Sequence, residues 1–179
     1  MLGIPHLGLR EKDDFYPTPP EGTQALLRVE RFDGSIWGPA AGGGAMARVL
    51  EAAGHHVIST ELVDRGFGER RVDFLMEWKP RARNIVTNPP FRLASAFARK
   101  ALALTTGKVA LLVKLAFAEG LERADVLDDP RLARIWVFRR RLSFERGGDR
   151  ACVLRSGMMC FAWYVWQHGY SGKPTLGWV

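Results

Sequence analysis

Short apolar runs along the chain alternate with longer segments whose apolar residues recur every three or four positions, the pattern of strands interleaved with helices. Ser35-Ile36-Trp37, Val57-Ile58-Ser59-Thr60, Asn84-Ile85-Val86-Thr87 and Ile135-Trp136-Val137-Phe138 predict strands, and Val72-Asp73-Phe74-Leu75 a short third strand or its end. Lys108 to Leu115 is a continuous apolar run of β type, as expected of a strand covered on both faces. Helical spacing joins Ala25, Leu26, Val29 and Phe32, then Met46, Val49, Leu50 and Ala53, and again Leu93 to Leu104. Ala116 to Pro130 predicts a further helix around Leu121, Ala124, Val126 and Leu127, closed by Pro130. Asp64 to Arg71 and Glu145 to Gly157 are charged and glycine-containing, and predict loops. Met158 to Trp166, the most hydrophobic run, predicts a buried central strand, and Thr175 to Val179 an antiparallel edge strand. The alternation is that of an α/β protein.

Composition narrows the picture in three ways. A chain of 179 residues that is 47% hydrophobic is the size of one domain, with residues 1–14 as an arm and no separate target-recognition domain. A formal net charge of +7 suits a polyanionic partner. Cys152 and Cys160 lack metal-ligand spacing and sit in apolar surroundings, which predicts reduced core thiols and no metal; His55 and His56 have no third ligand at suitable spacing. The first residues lack the basic and apolar regions of a signal peptide, and no apolar run reaches membrane-spanning length, so a cytoplasmic protein without membrane association is expected.

Three strand ends carry the candidate chemistry. The first strand runs into Gly38-Pro39-Ala40-Ala41-Gly42-Gly43-Gly44 and a helix, where glycines let backbone approach a ligand and helix N–H groups favour an anionic group. The second ends on Glu61, placed to accept hydrogen bonds from ribose hydroxyls, and Asp73 beyond it is a candidate acceptor for an adenine amine. The fourth ends in Asn88-Pro89-Pro90-Phe91. A nucleobase amine is a poor nucleophile because its lone pair is delocalised into the ring. An Asn oxygen and a Pro carbonyl can hold its N–H protons and localise that pair, successive prolines keep the acceptors aimed, and Phe91 offers a stacking face. Ahead of these lies a proline-rich lead-in, Phe15-Tyr16-Pro17-Thr18-Pro19-Pro20, and after the Ile135–Phe138 strand comes the densest basic cluster, Arg139-Arg140-Arg141, with Arg146, Arg150 and Arg155 beyond.

In this order the motifs resemble those of the S-adenosylmethionine-dependent N6-adenine DNA methyltransferases, in particular the small single-domain forms of phages and prophages, over Asp14 to Trp178. The resemblance implies a Rossmann-like, seven-stranded, mostly parallel sheet with helices on both faces and an antiparallel C-terminal hairpin. It implies that Tyr16, Thr18 and Pro19 lie over the methionine part of the cofactor S-adenosylmethionine, that Pro39, Ala40, Gly42 and Gly44 hold that part, that Glu61 binds the ribose, and that Asp73 and Phe74 address the adenine ring. Asn88, Pro89, Pro90 and Phe91 match the catalytic loop, and DNA phosphates fall to Arg139, Arg140, Arg141 and Arg146. One position departs from the pattern: Gly38 stands where the family usually has Asp or Glu, a loss of one charge-assisted contact worth about 1.5–3 kcal/mol. Asn-Pro-Pro loops also serve RNA bases and glutamine side chains of proteins, and the basic charge and Phe91, where glutamine enzymes typically carry Tyr, favour nucleic acid, DNA ahead of RNA. A nucleic-acid-binding protein whose turnover is weakened through Gly38 is the alternative from outside the enzymes.

Overall fold

The computed structural model describes residues 15–146, 149–153 and 159–179. Its elements run α1 (Pro20–Val29), β1 (Ile36–Pro39), α2 (Ala45–Ala52), β2 (Val57–Glu61), β3 (Glu69–Arg70), β4 (Asn84–Thr87), α3 (Ala94–Leu104), β5 (Lys108–Lys114), α4 (Ala124–Leu127), β6 (Leu132–Val137), β7 (Glu145–Arg146), β8 (Asp149–Val153), β9 (Phe161–Gln167) and β10 (Thr175–Trp178). The main sheet has eight strands among the described residues, in the order β10-β6-β9-β5-β4-β1-β2-β3. Strands β1 to β5 are mutually parallel, β9 runs antiparallel between β5 and β6, and β10 pairs parallel with β6.

Period-two alternation on the central strands divides the core into two layers. Along β5, Val109, Leu111 and Val113 join the cluster that holds Phe97 and Ala101 of α3, while Ala110 and Leu112 join Leu26 of α1 and Leu50 of α2. On β9, Tyr164 and Trp166 face the first layer and Trp163 and Val165 the second, all fully buried. Each indole finds an acceptor: Trp163 Nε1 donates to the Gly22 carbonyl and Trp166 Nε1 to that of Val126, at 2.9 and 2.8 Å. The strand expected at Met158 to Trp166 is therefore central and buried from Phe161 onward; Met158 lies outside the described residues.

Several expectations are corrected. Among the described residues the main sheet has eight strands rather than seven. β9 and β10 do run in opposite directions, but β6 lies between them, so the edge strand at Thr175–Trp178 pairs parallel with β6 instead of closing an antiparallel hairpin. The third strand is Glu69–Arg70, inside the segment expected to be loop; Phe74–Met76 is a 3-10 turn capped by the Asp73 side chain, which accepts the Leu75 N–H at 2.9 Å. The helix expected over Ala116 to Pro130 is broken into two 3-10 turns and the single turn α4, because Gly120 takes φ +96° between them. Within Glu145 to Gly157, β7 and β8 form a two-stranded ribbon. Cys160 is exposed, not a core thiol, because it precedes the buried part of β9; the Cys152 side chain is outside the described set. Among the described residues no helix is long and apolar enough to cross a membrane.

At the N-terminal edge of the parallel strands, one carboxylate joins three elements. Glu30 follows α1, is 2% exposed, and accepts from Lys108 Nζ at 2.6 Å, from Trp136 Nε1 at 2.9 Å, and from the Arg134 guanidinium. Burial alone would raise its pKa; the hydrogen bonds from Arg134, Lys108 and Trp136 together outweigh it and hold the group below the ordinary carboxylate range. A depressed folded-state pKa contributes stability above the unfolded value of about 4.3, and that contribution is lost as pH falls through the folded value. Glu30→Ala strands two half-buried cations and is expected to cost about 3–5 kcal/mol in urea unfolding at pH 7. The gap to the unsubstituted protein is expected to narrow when the same titration is run at pH 3.

Candidate active site

The order of the sheet grows outward in both directions from the β1–β4 pair, so a crevice opens beyond the C-terminal ends of these strands. The connections leaving them are the glycine turn and the Asn88 loop. The ends are tied together: Thr87 Oγ1 donates to the Pro39 carbonyl, and Ala41 N–H donates to the Thr60 carbonyl of β2 at 3.0 Å.

The glycine turn is built from left-handed residues, with φ of 58° at Ala40, 57° at Gly42 and 82° at Gly44. A Cβ on Gly42 would stand 2.6 Å from the Phe15 ring, and one on Gly44 2.6 Å from the Phe67 ring. At both positions a side chain would be strained in conformation and would have to displace an aromatic ring. Glu61, 7% exposed at the end of β2, braces the turn: Oε2 accepts the Gly42 N–H at 2.7 Å and Oε1 the Val63 N–H at 3.1 Å. Each oxygen keeps a second lone pair.

The Asn88 side chain is oriented by the lead-in segment. Its Nδ2 donates to the Tyr16 carbonyl at 3.3 Å and to Thr18 Oγ1 at 3.1 Å. A carbonyl oxygen only accepts, so the amide nitrogen must face Tyr16 and the amide oxygen must face away. That oxygen, Oδ1, is buried and has no hydrogen-bond partner. Pro90 then leads into a 3-10 turn at Phe91–Leu93 and on into α3. The Phe91 ring lies nearly parallel to Tyr16, with centroids 5.7 Å apart, and is tilted against Phe161 at 5.6 Å.

A cavity of about 640 Å³ lies between these loops, within the roughly 300–1,000 Å³ typical of ligand and cofactor sites. The structure brings together on its wall Tyr16, Thr18, Ala40, Gly42 and Glu61, and from the other side Asp73, Phe74, Asn88 and Pro90. Pro19, Pro39, Gly44, Pro89 and Phe91 are not on this wall; Pro39 and Pro89 are buried behind it. Phe74 is 3% exposed and packs against Trp37 and Phe97, so most of its ring is core. Gly38 lines the cavity, and a Cβ there would meet only the Val86 carbonyl at 3.7 Å, an ordinary contact.

The arginine cluster stands apart from the cavity wall. Arg139, Arg140 and Arg141 follow β6 and are exposed, with Arg139 over the Trp178 ring at 5.1 Å. Because β6 is parallel to β5 in direction, the cluster leaves the sheet at the same edge as the Asn88 loop. Arg146 lies on β7 and Arg150 on β8, their side chains outside the described set, and Arg155 lies outside the described residues.

Three wall residues were not singled out from sequence. Ser59 carries a buried Oγ without a partner, Phe15 covers Gly42, and Arg65 stacks on Phe15 at 4.0 Å. Ser59 shares its face of β2 with Val57 and Glu61, which also line the cavity; Phe15 and Arg65 meet only in three dimensions. Among the described residues no group of three or more His, Cys, Asp or Glu side chains is placed to hold a metal.

No protein-family model and no curated protein matches the sequence. Solved structures do match in fold. A candidate RNA methyltransferase of Pyrococcus horikoshii superposes with a TM-score of 0.66 at 14% identity, covering 89% of this chain and 90% of its own. A ribosomal protein L11 methylase from Lactobacillus delbrueckii gives 0.54 at 11% identity, covering 81% and 75%. The magnesium protoporphyrin IX methyltransferase of Synechocystis, solved with S-adenosylmethionine bound, gives 0.53 at 12% identity, covering 82% and 77%. The sheet, with its antiparallel strand inserted between two parallel ones, has the class I methyltransferase fold.

Proposed function

We propose that the protein transfers a methyl group from S-adenosylmethionine to the exocyclic N6 amine of adenine in DNA. The observation that carries this reading is the buried, unpaired Oδ1 of Asn88, a residue on the wall of the cavity that begins at the glycine turn. A buried acceptor without a donor is costly unless a ligand supplies one. An amine with two N–H groups is such a ligand.

The cavity fits the cofactor in size and donor set. Gly43 is on its wall with open space where a side chain would stand, leaving backbone accessible to a carboxylate-bearing chain. Glu61 has lone pairs for ribose hydroxyls, and Asp73 with Phe74 and Leu75 forms a mixed polar and apolar wall for a purine. The cofactor supplies an electrophilic methyl on a sulfonium sulfur. Asn88 Oδ1 accepts one N–H of the target amine, which helps localise the nitrogen lone pair and stabilises the positive charge that develops there; the Pro89 carbonyl, behind the wall in this conformation, takes the other N–H once the base enters. Phe91 gives the flipped base a surface to stack on, repaying part of the few kcal/mol that unstacking costs. Exposed Arg139, Arg140 and Arg141 at the same sheet edge hold phosphates.

A second reading keeps every residue role and replaces DNA with RNA; the likeness to the Pyrococcus protein, itself a candidate RNA methyltransferase, supports it. Incubation with methyl-labelled S-adenosylmethionine and separate DNA, RNA and protein pools, followed by nucleoside analysis, tests both. N6-methyladenine in the DNA pool is the expected outcome, and label confined to protein would overturn the reading.

Two substitutions separate the halves of the site. Asn88→Ala is expected to lower kcat by about 10²–10³-fold, as loss of one charge-stabilising contact does elsewhere, with cofactor affinity within a few fold of the original by calorimetry. Gly38→Asp restores a carboxylate at a position with room for it. Its expected result is about tenfold tighter cofactor binding in the same calorimetric titration, with the acceptor KM unchanged.

A further inference from the structure

A second cavity, of about 220 Å³, lies on the far side of the Asn88 loop. Its wall includes Phe91 and Arg92 from that loop, Lys114 at the C-terminal end of β5, and Phe117 and Arg123 from the 3-10 turns that follow. Arg92 belongs to the walls of both cavities, so the two spaces are neighbours across the Phe91–Arg92 step. None of the residues on this wall is acidic.

The three cations are held differently. Lys114 is half-buried, with Nζ 5.2 Å from the centre of the Phe91 ring, and among the described residues neither Lys114 nor Arg92 has a carboxylate partner. Arg123 is fixed at the rim: it packs over Phe117 at 5.4 Å, donates to the Glu119 carbonyl, and reaches the exposed Glu122 carboxylate at 3.1 Å. A half-buried lysine without a counter-charge, facing a cavity with two arginines, lacks an anion.

We infer that this cavity seats the phosphodiester next to the target nucleotide, with Lys114 and Arg92 as its counter-charges and Arg123 at the rim. This rests on the nucleic-acid reading of the Asn88 site. A flipped base enters its pocket still attached to its backbone, so the pocket needs an anion site one nucleotide's reach away. The neighbouring cavity lies where that backbone must pass, and its small volume and apolar walls beyond the cations suit one phosphate group better than an acidic peptide with several carboxylates.

The test uses short adenine-containing oligonucleotides in which each linkage around the target is replaced singly by an uncharged methylphosphonate. Binding is followed by fluorescence anisotropy across a salt series, without turnover. In the unsubstituted protein one linkage is expected to weaken binding about tenfold when neutralised. Lys114→Gln should weaken binding to the normal oligonucleotide by a similar factor, uniformly across sequences, and reduce the slope of log affinity against log salt by about one. In that variant the same methylphosphonate should have no further effect, and Lys114→Arg should restore most of the loss. Lys79→Gln, a distant exposed lysine, is the electrostatic control and should leave the coupling intact; thermal unfolding and cofactor titration show whether each variant is folded.

A Lys114→Gln protein that responds to every neutral linkage as the parent does overturns the proposal. So does a loss that depends on base sequence with an unchanged salt slope, which would make the cavity a base-reading pocket. Because binding is read without turnover, the coupling can appear in a protein that methylates no adenine, which would retain the phosphate site and discard the reaction; methylation without the coupling does the reverse.

Discussion

The candidate site depends on the direction in which one side-chain amide points. Asn88 Nδ2 is committed to the Tyr16 carbonyl and Thr18 hydroxyl, and since a carbonyl can only accept, the rotamer that would turn Oδ1 toward the lead-in is unfavourable. The amide is therefore held in one orientation without waiting for substrate to organise it, which is the condition under which a fixed dipole lowers a barrier. The lead-in is itself stiff, with prolines at 17, 19 and 20 limiting φ. It is also held at its start, where Phe15 lies against Gly42 and under Arg65. One short segment thus joins the two halves of the cavity, packing over the glycine turn at one end and orienting the amide at the other.

Placement of those halves follows from the sheet. Parallel strands with right-handed crossovers put the loops after β1 and β4 side by side only where the strand order reverses, and the Thr87–Pro39 hydrogen bond fixes their spacing. The opposite end of the same strands carries the network that holds the layers in register. Asn84 donates to the carbonyls of Asp33 and Ser35 and accepts the Lys108 N–H, and Glu30 gathers Lys108, Arg134 and Trp136. Among the described residues four buried side-chain oxygens have no partner, Thr23 Oγ1, Ser59 Oγ, Asn88 Oδ1 and Thr105 Oγ1, and of these residues Ser59 and Asn88 are on the cavity wall.

What could be read from the sequence was whatever local pattern determines. Strands β4, β5 and β9 are runs buried on both faces, β1 and β2 are shorter runs that open on apolar residues, and the glycine turn and Asn88 loop announce themselves by composition. The third strand was missed because Glu69–Arg70 is a two-residue, exposed edge strand; with nothing to bury, it has no hydrophobic period. The helix expected after β5 failed at Gly120, whose positive φ interrupts a pattern that is otherwise helical. Partners distant in sequence were out of reach altogether: Asn88 meets Thr18 across 70 residues and Glu30 meets Arg134 across 104, and no local period encodes either contact. The orphaned oxygen exists only because of the first of these. Its identity as an acceptor could be guessed from residue type, but its vacancy could not.

The fold leaves the acceptor open, since the same sheet serves proteins named for RNA, ribosomal protein and porphyrin substrates. Discrimination has to come from groups placed around the Asn88 loop. Two kinds surround it in this chain. An aromatic ring at Phe91 is nearly parallel to Tyr16, a surface suited to a planar base and of less use to a flexible amide side chain. Cations lie along this edge, Arg92 and Lys114 beside the Asn88 loop and the Arg139–Arg141 triplet beyond β6 on the same side of β4. On the wall of the second cavity no carboxylate opposes them. A protein glutamine would gain little from several cations, whereas a nucleotide carries its charge on the backbone that must bend into the site when the base is turned out. In the proposed reaction the base is recognised by stacking and by the amide oxygen, and the backbone by charge, so that chemistry and placement are assigned to different residues of one sheet edge.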